Sequence, residues 1–286
     1  MPFFSIIIPT YNRSALLLRA IQSLRNNEHS DVEVIVVDDG SKDDTSDVVA
    51  ELTDIRISYH RQENRGVCEA RNKGASLSAG KYLIFLDSDD VMVPGAIDNY
   101  GDVIRETSAD IVFADMRIVD EVIGKETFVS ARNPYGNVKS NGIFIPGTFC
   151  ISKELFDRAG GYDRLMTYGE NTELKFRIEK LKPSIAFTDT VSMLYYQSPD
   201  GGSKNIRNMV ASNSYMLEKH KDVFDRFPAL EKKYRQTMAV AQCRMGEFSE
   251  ARRQMWKAYK CIPSDLKTLA KFLLLSLPIA ARRIWK

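Results

Sequence analysis

The sequence predicts an α/β fold, with a mostly parallel sheet flanked by helices and an all-helical extension at the C-terminus. Two observations carry this prediction. Short apolar runs alternate with helix-period segments through the first 114 residues, and this alternation favours right-handed crossovers and a parallel sheet. From about residue 206 the strand pattern gives way to helical periodicity. A length of 286 residues suits one large domain with an appendage.

The strands predicted in the first half are short apolar runs, several of them without in/out alternation, as in a sheet covered on both faces. They span residues 4–8, 32–37, 55–59, 82–86 and 111–114. The helices predicted between them span residues 16–26, 44–52, 67–79 and 94–106. Ligands of such sheets bind beyond the carboxyl ends of the strands. Residues that directly follow a strand are therefore the first place to look for a site.

The second half of this domain is less regular. Short strands are predicted at residues 117–122, 142–145, 184–188 and 191–196, with a helix at 171–181. Residues 198–203 are rich in Ser, Pro and Gly, which is typical of a flexible turn. We therefore place one domain at residues 1–205, with halves at 1–114 and 115–205, and the helical extension at 206–286.

Composition and cysteine usage indicate an ordinary globular protein of a reducing compartment. The chain is 44% hydrophobic and 27% charged. Its four cysteines are scattered and form no CxxC pair, which argues against a zinc site or a disulfide framework. The N-terminus has neither the basic region nor the long apolar stretch of a secretory signal. A cytoplasmic location is expected.

Polar clusters follow three of the predicted strands directly. Pro9, Thr10 and Tyr11 come after the first, Asp39 lies after the second, and the sequence Asp-Ser-Asp-Asp at 87–90 comes after the fourth. A parallel sheet would bring all three clusters to one edge. Tyr11 is interpreted equally well as a packing aromatic at the rim or as a platform for a nucleobase, with Asp39 accepting from the base edge.

An acidic residue after a strand can simply cap the next helix, and Asp43 or Asp44 fits that interpretation. Asp87 and Asp89 fit it less well, because Pro94 prefers the first helical position and these acids then lie too far upstream. Two carboxylates one residue apart at the end of a buried strand repel each other unless a cation joins them. Their oxygens suit Mg²⁺ or Mn²⁺ holding a diphosphate.

Four sequence blocks resemble, in order and spacing, those of the family 2 glycosyltransferases with the GT-A fold, a Rossmann-like sheet. The blocks are residues 8–13 (IPTYNR), 37–45 (VDDGSKDDT), 64–74 (NRGVCEARNKG) and 85–90 (FLDSDD). Weaker similarity continues to about residue 205. The resemblance implies an inverting transferase in which a nucleotide-binding half precedes an acceptor-binding half.

The resemblance also implies roles for individual residues. The implied nucleotide-binding residues are Pro9, Thr10, Tyr11, Asp39, Arg71, Asp87 and Ser88. Among these, Arg71 would reach the base, unless it only lies on a solvated helix face. Asp87 would hold the ribose and the metal, and Asp89 the metal itself. The implied cofactor is Mn²⁺ or Mg²⁺, and the implied donor is a nucleotide-diphosphate sugar, with uridine the base most frequent in the family.

Inversion by direct displacement needs one general base for the acceptor hydroxyl. In the family this base belongs to a Glu-Asp pair that opens a helix, and here that pair is Glu170-Asn171. An amide cannot accept the proton, so we take Glu170 as the base candidate and Glu173, one turn further on, as the reserve. The alternative is that both are ordinary first-turn glutamates that complement the helix dipole.

Further along the chain, residues 195–204 resemble the mobile loop that closes over the diphosphate, with Ser203 and Lys204 as the phosphate-contacting candidates. Spacings around residues 239–263 resemble one tetratricopeptide-like unit. Residues 244–286 hold ten Lys/Arg against three acidic residues. Their apolar run at 269–281 is shorter than a membrane span and basic around its ends, which favours an interfacial helix on anionic lipid. Nucleic acid is not expected as a partner, because no basic stripe with interleaved aromatics runs through the body.

The resemblance therefore implies a glycosyltransferase of the bacterial surface-polysaccharide type, of the hexosyl- or N-acetylhexosaminyltransferase class. It would move a sugar to a glycan or lipid-linked acceptor, and peripheral contact with the inner face of the cell membrane is expected through the tail. A nucleotidyltransferase or a dehydrogenase would need a glycine-rich loop after the first strand, which is absent. A catalytically impaired sugar-nucleotide-binding scaffold of a glycan assembly complex remains open because of Asn171.

Overall fold

The computed structural model describes residues 2–25, 31–52, 56–132, 142–197, 205–276 and 284–285. The chain divides into two compact units. The first comprises Met1–Arg164 with Glu170–Pro199, and the second comprises Leu165–Gly169 with Asp200–Lys286.

The described residues of the first unit include nine strands that form one sheet. These are β1 (Phe4–Thr10), β2 (Val32–Asp38), β3 (Ile57–Arg61), β4 (Tyr82–Phe85), β5 (Val91–Met92), β6 (Ile111–Asp120), β7 (Lys125–Val129), β8 (Phe149–Ser152) and β9 (Ile185–Tyr196). Their order along the sheet is β3-β2-β1-β4-β8-β6-β9-β5, and β7 pairs with β6.

The sheet is parallel where the first half of the chain builds it. β1 pairs in parallel with β2 and β4, and β2 pairs in parallel with β3. Later strands make the rest of the sheet mixed, because β8 runs antiparallel to both β4 and β6 while β9 runs parallel to β6. The predicted α/β class is confirmed, and the carboxyl ends of β1, β2 and β4 share one edge.

Six described helices belong to this unit, and they cover the sheet. They are α1 (Ser14–Leu24), α2 (Thr45–Ala50), α3 (Val67–Leu77), α4 (Ala96–Thr107), α5 (Lys153–Arg158) and α6 (Glu170–Lys180). The expectation that Pro94 opens the fourth helix is wrong, because α4 begins at Ala96 after Gly95, whose φ is +76°. Asp87 and Asp89 therefore lie even further from the helix start than the sequence indicated.

The core lies on both faces of the parallel strands, and β1 is buried along its whole length. Ile6 and Ile8 pack into one large apolar cluster. On the opposite face Gly74 of α3 approaches β1 so closely that a Cβ at this position would lie 2.4 Å from Cγ2 of Ile7. The missing side chain allows α3 to lie directly on the sheet, and this close packing fixes where the helix presents its other residues.

The structure corrects three of the strands predicted in the second half. Residues 142–144 are buried and Ile145 is partly buried, but they form no strand, because the Thr148 hydroxyl donates to the carbonyls of Ile143 and Ile145 in place of a ladder partner. The strands predicted at 184–188 and 191–196 form one continuous strand, β9, which begins at Ile185. A left-handed residue, Asp189 with φ +55°, and a register shift against β6 explain why the sequence pattern breaks there.

The second unit is helical throughout its described part. It contains α7 (Ile206–Lys219), α8 (Lys221–Arg226), α9 (Pro228–Arg244), α10 (Phe248–Cys261) and α11 (Leu266–Leu274). Ala239, Cys243, Ala251, Met255 and Leu275 form its core, with Phe248 and Phe272 packed against it. Within the described residues no helix combines the length and the apolar character needed to cross a membrane.

All four cysteines are free thiols. Cys68, Cys150 and Cys243 are buried, whereas Cys261 is partly exposed at the end of α10. Burial raises the pKa of the Cys68 thiol to about 12 and raises the pKa of the Cys150 thiol well above its ordinary value. These two thiols therefore stay protonated at any physiological pH.

Candidate active site

The structure brings most of the predicted site residues to the shared carboxyl edge of β1, β2 and β4. Thr10 ends β1, Asp38 ends β2, and Asp87 comes two residues after β4. The backbone N–H of Asp39 donates to the carbonyl of Thr10 at 2.9 Å, so the first two polar clusters are joined by the main chain. Ser88 is buried inside the turn that follows β4.

The predicted nucleoside corner combines a buried hydroxyl with an exposed ring. Pro9 and Thr10 are buried in β1, and Oγ1 of Thr10 has no hydrogen-bond partner among the described residues. Tyr11 is 42% exposed, which fits a platform for a base better than a packing aromatic. The turn that presents it is fixed by Asn12 (φ +50°), whose N–H donates to Oγ of Ser41 at 2.9 Å.

Asp39 is buried, and both of its oxygens already accept hydrogen bonds. Oδ1 accepts from Nε2 of Gln62 at 2.8 Å and from the N–H of Arg65 at 2.9 Å, and Oδ2 accepts from the N–H of Gly66 at 2.7 Å. These bonds hold the loop that leads into α3. A contact from Asp39 to a base edge would use the remaining lone pairs, so this role stays a prediction.

Arg71 lies at the centre of the site and is only 2% exposed. Its Nη2 donates to Oδ1 of Asp87 at 2.6 Å and its Nη1 donates to Oε1 of Glu170 at 3.1 Å. The guanidinium carbon lies 5.0 Å from the centroid of the Tyr162 ring, within the range of a cation–π contact. The interpretation of Arg71 as a solvated helix face is wrong, and its predicted reach to the base stays a prediction.

Three carboxylates crowd the turn after β4. Burial, together with the charge of Asp87, raises the pKa of Asp89, although Arg13 Nη1 donates to Asp89 Oδ2 at 2.6 Å. Burial and the Asp87 charge raise the pKa of Asp90 to about 9, and its buried Oδ2 has no hydrogen-bond partner among the residues that the structure describes. Such crowding of like charge is relieved when a cation is bound nearby.

These acids fit a hard divalent cation of a particular kind. Asp87 and Asp89 keep 27% and 19% of their side chains exposed, so both can be reached from solvent. No group of three or more His, Cys, Asp or Glu in the described part of the chain is placed to hold a metal ion. Mg²⁺ and Mn²⁺ are often held by one or two carboxylates, with substrate phosphates and water completing the shell. The site therefore fits a metal ion that is coordinated partly by substrate phosphates and water, and does not fit one that is coordinated by protein ligands alone.

The two base candidates have very different surroundings. Glu170 opens α6 and is 17% exposed, with one oxygen bonded to Arg71. Glu173 is fully buried and paired with Arg177, whose Nε lies 2.9 Å from Oε1. Burial and this ion pair keep Glu173 from an acceptor hydroxyl, so the structure argues against the reserve candidate and favours Glu170.

Asn171, where the resemblance implies an aspartate, is bonded at both ends of its amide. Its Oδ1 accepts from the Tyr162 hydroxyl at 3.1 Å, and its Nδ2 lies 3.4 Å from Oε1 of Glu170. Burial raises the pKa of Tyr162, so the phenol remains a donor. Asn171 is thus part of the same cluster as Arg71 and Glu170.

The structure adds Arg13 and Tyr162 to the site, and it adds Asp90 as a buried support. Arg13 and Asp90 lie inside blocks that the sequence analysis singled out, but neither was given a role there. Asp90 Oδ1 accepts from the backbone N–H of Tyr196, the last residue of β9, at 3.0 Å. The diphosphate-loop candidates Ser203 and Lys204 lie outside the described residues.

Comparison with known proteins identifies the family. The model named "Glycosyl transferase family 2" matches residues 5–162, more than half of the chain. A Campylobacter jejuni protein named GalNAc(5)-diNAcBac-PP-undecaprenol beta-1,3-glucosyltransferase is 43% identical over 101 residues, 34% of this chain and 33% of its own length. An uncharacterized glycosyltransferase of Rickettsia prowazekii is 27% identical over 238 residues, 79% of this chain and 71% of its own.

The solved structure of S. aureus TarS residues 1–349 in complex with UDP-GlcNAc superposes with a TM-score of 0.65. At 18% identity it covers 99% of this chain and 88% of the TarS chain, so the likeness supports the fold alone. Fold and site together define a glycosyltransferase of the GT-A type. The chain belongs to glycosyl transferase family 2. It spans only a third of the length of the Campylobacter relative.

Proposed function

We propose that this chain transfers a sugar from a nucleotide-diphosphate donor, a UDP-sugar, to a glycan or lipid-linked acceptor, with inversion at the anomeric carbon. One observation supports this best. Asp87, on the diphosphate side, and Glu170, the base candidate, both contact the guanidinium of Arg71. The acid that would hold the donor and the acid that would activate the acceptor are therefore within reach of a single substrate.

Asp87 and Asp89 would hold Mn²⁺ or Mg²⁺, which when bound neutralises charge on the leaving diphosphate. Thr10 supplies a buried hydroxyl that no other described residue bonds, and Tyr11 supplies an exposed ring at the same edge. Together these side chains offer hydrogen bonding and stacking to a nucleoside. Arg71 keeps Asp87 in place from the protein side, so the second oxygen of this carboxylate is left for the ligand.

The reaction is a direct displacement with one base. The acceptor oxygen forms a bond to the anomeric carbon, the bond from that carbon to the diphosphate oxygen breaks, and the nucleoside diphosphate leaves with the electron pair. Glu170 takes the proton of the acceptor hydroxyl. A second acid is unnecessary because the leaving group needs no proton, unlike the leaving groups of glycoside hydrolysis.

The choice of donor and acceptor is supported by the relatives. The name of the Campylobacter protein describes a glucosyltransferase acting on an undecaprenol-linked glycan, and the TarS structure holds UDP-GlcNAc. By analogy we propose a UDP-hexose or UDP-N-acetylhexosamine donor and an acceptor carried on a membrane lipid. A cytoplasmic location at the inner face of the cell membrane suits such an acceptor.

Contact with the membrane is proposed through the surface of α10 and α11. Leu266 and Leu273 of α11 are 70% and 58% exposed, and Trp256 of α10 is also exposed. Basic residues surround them, among them Lys260, whose Nζ lies 5.6 Å from the Trp256 ring. Exposed aromatic and aliphatic side chains with a basic rim are typical of surfaces that bind anionic lipid.

The sequence interpretation of a separate interfacial helix at the tail needs revision. Phe272 packs on Trp256 with ring centroids 5.0 Å apart, and Leu275 belongs to the core of the helical unit. Part of the apolar side of α11 is therefore already covered. The contact we propose uses the outer surface of a docked helix, with residues 277–283 outside the described part of the chain.

The test is a panel of UDP-, GDP- and TDP-sugars measured by thermal stabilisation with Mn²⁺ and with EDTA. A matching donor at about 100 times its Kd adds about 2.7 kcal/mol to the free energy of unfolding. We expect stabilisation by UDP-sugars that EDTA weakens, and release of UDP once a lipid-linked acceptor is added. Stabilisation without turnover on any acceptor would favour the impaired scaffold. Stabilisation by none of the nucleotides would reject the proposal.

A further inference from the structure

Asn171 follows Glu170 in the first turn of α6, and its surroundings indicate what the amide does. The Tyr162 hydroxyl donates to Oδ1 at 3.1 Å, and Nδ2 lies 3.4 Å from Oε1 of Glu170. The same Glu170 oxygen accepts from Nη1 of Arg71 at 3.1 Å. Tyr162, Asn171, Glu170 and Arg71 therefore form a closed ring, because the guanidinium of Arg71 also lies over the Tyr162 ring.

The polarity of this ring allows only one orientation of the amide. Tyr162 is a buried phenol, and it donates its proton to the amide oxygen. The amide nitrogen then faces the Glu170 carboxylate, which in its ionised form can only accept. With the amide turned around, two oxygens would face each other across the Glu170 contact.

An aspartate at position 171 could still accept from Tyr162 but could not donate to Glu170. It would also put a second negative charge beside the first, close to Asp87, which shares Arg71 with Glu170. Two neighbouring carboxylates destabilise each other when both are ionised. The amide avoids that repulsion and replaces it with a hydrogen bond.

We propose that Asn171 is a positioning residue that holds the Glu170 carboxylate toward the acceptor, so that this chain carries its base on the glutamate of the pair. The inference rests on the proposed function, in which Glu170 takes the proton. It gives Asn171, the departure from the pattern of the resemblance, a role in catalysis. It therefore argues against the alternative function, a catalytically impaired sugar-nucleotide-binding scaffold.

The helix beneath the pair is anchored independently of this ring. Arg177 donates through Nε and Nη2 to Glu173, and its Nη1 donates to the carbonyl of Ala159. These contacts fix α6 from within. Substitutions at 170 and 171 therefore test the ring itself more than the folding of the helix.

The first experiment compares wild type with Asn171→Asp in steady-state transfer. We expect kcat to fall about tenfold or more, the size of one charge-assisted hydrogen bond. KM for the donor should stay within about twofold, because only the base is disturbed. Asn99→Asp, in the first turn of α4, is the matched control for adding a charge near a helix start. A rise of kcat in Asn171→Asp would overturn the inference, since position 171 would then carry the base.

The second experiment exchanges the two groups in Glu170→Gln/Asn171→Asp. The swapped pair restores an amide beside a carboxylate, so its Tm should exceed that of Asn171→Asp alone while turnover stays lost. Turnover retained by the double variant would overturn the inference, and so would a Tm no higher than that of the single variant. The Tm comparison needs no substrate. It separates failure of this inference from failure of the proposed function, which appears as a wild type inactive with every donor.

Discussion

At the scale of single residues, the charges of the site are arranged in pairs of opposite sign. Arg13 contacts Asp89, Arg71 contacts both Asp87 and Glu170, and Arg177 neutralises the buried Glu173. Removing one partner of a buried pair leaves an uncompensated charge, which costs about 3–5 kcal/mol. Substitutions that test chemistry must therefore keep the shape of the side chain and most of its hydrogen bonds.

Glu170→Gln meets that condition, because the amide oxygen can still accept from Arg71. We expect kcat to fall by about 10²–10⁴, the usual contribution of a general base, with the affinity for the nucleotide retained. Transfer assays and nucleotide titrations on the same preparation measure both quantities. Glu154→Gln on the surface of α5 is the control and should behave as wild type. Near-normal turnover of Glu170→Gln would exclude this residue as the base.

At the scale of elements, α3 determines the position of the site because it carries Arg71 and lies directly on β1. Gly74 comes one turn after Arg71, at the point of closest approach to Ile7. Alanine is normally better than glycine in a helix, by about 1 kcal/mol. Helix propensity alone would therefore predict that Gly74→Ala stabilises the protein, whereas the close packing predicts that it destabilises the protein.

We expect Gly74→Ala to destabilise the protein by about 1–3 kcal/mol, as overpacking of a core does. Each kcal/mol lowers Tm by about 2–4 °C for a domain of this size. The affinity for a nucleotide should fall as well, since α3 must shift away from β1. Ser76→Ala, on the exposed side of the same helix, is the control. A Tm equal to or above that of wild type would contradict the close packing.

The start of α11 depends on the carboxylate of Asp265. It accepts from the backbone N–H groups of Lys267 and Thr268 and from Nζ of Lys232 at 2.8 Å. The hydrogen bonds from Lys232 and Thr268 lower the pKa of Asp265 below its ordinary value of 3.8. A lowered folded-state pKa gives stability that is present above pH 3.8 and is lost as the pH falls through the folded-state value.

We therefore expect α11 to exchange its amide hydrogens faster as the pH falls below about 4, where an ordinary aspartate becomes protonated. Hydrogen exchange of residues 266–274, corrected for the intrinsic pH dependence, measures this. Asp265→Asn should exchange faster already at neutral pH and should lose most of the added acid sensitivity. Identical pH profiles for variant and wild type would contradict the assignment of the cap to this carboxylate.

The long periodic elements could be predicted from the sequence, and several short ones could not. β1, β2 and β4 and the helices α1, α3 and α4 were found within a few residues, because apolar runs and helix period mark them clearly. β5 has only two residues and β8 four, too few for a period to appear. Residues 142–145 were apolar enough to suggest a strand, but the hydroxyl of Thr148 bonds the carbonyls that a neighbouring strand would need.

The sequence could predict at which edge of the sheet the site residues lie, but not which of their side chains contact one another. A parallel sheet brings the ends of β1, β2 and β4 together, so the sequence could place Thr10, Asp39 and Asp87 at one edge. The position of Arg71 between Asp87 and Glu170 depends on the close contact of α3 with β1, which residue spacing does not reveal. Arg13 could have been suspected, because it is the one cation in its block and three acids follow β4.

At the scale of the whole molecule, the chain has two compact units, and we propose a different role for each: sugar transfer for the first and membrane contact for the second. The first carries the described site, and the second carries the basic, partly apolar surface of α10 and α11. The division at residue 205 and the separate roles of residues 1–114 and 115–205 stay predictions. A protein that elongates a lipid-carried glycan gains from membrane contact because binding raises the effective concentration of acceptor.

We expect Leu266→Gln/Leu273→Gln to weaken sedimentation with anionic vesicles while leaving Tm nearly unchanged, because both side chains are exposed. Loss of exposed apolar area reduces interfacial binding in proportion to the area removed. Ile123→Gln, at an exposed turn of the other unit, is the matched control. These variants are preferable to deleting residues 265–286, which would remove Leu275 from the core of the helical unit and expose the rest of that core. Unchanged sedimentation of the double variant would reject this surface as the membrane contact.

The free thiols give a practical consequence. Cys68, Cys150 and Cys243 are sealed in the interior, so brief treatment with a maleimide dye should modify Cys261 alone. A single fluorophore could then be attached without first replacing the other cysteines. It would lie at the end of α10, beside the surface that we propose binds lipid. Its emission would report directly on vesicle binding. Slow labelling of a second thiol over hours would measure the rate at which the folded core opens.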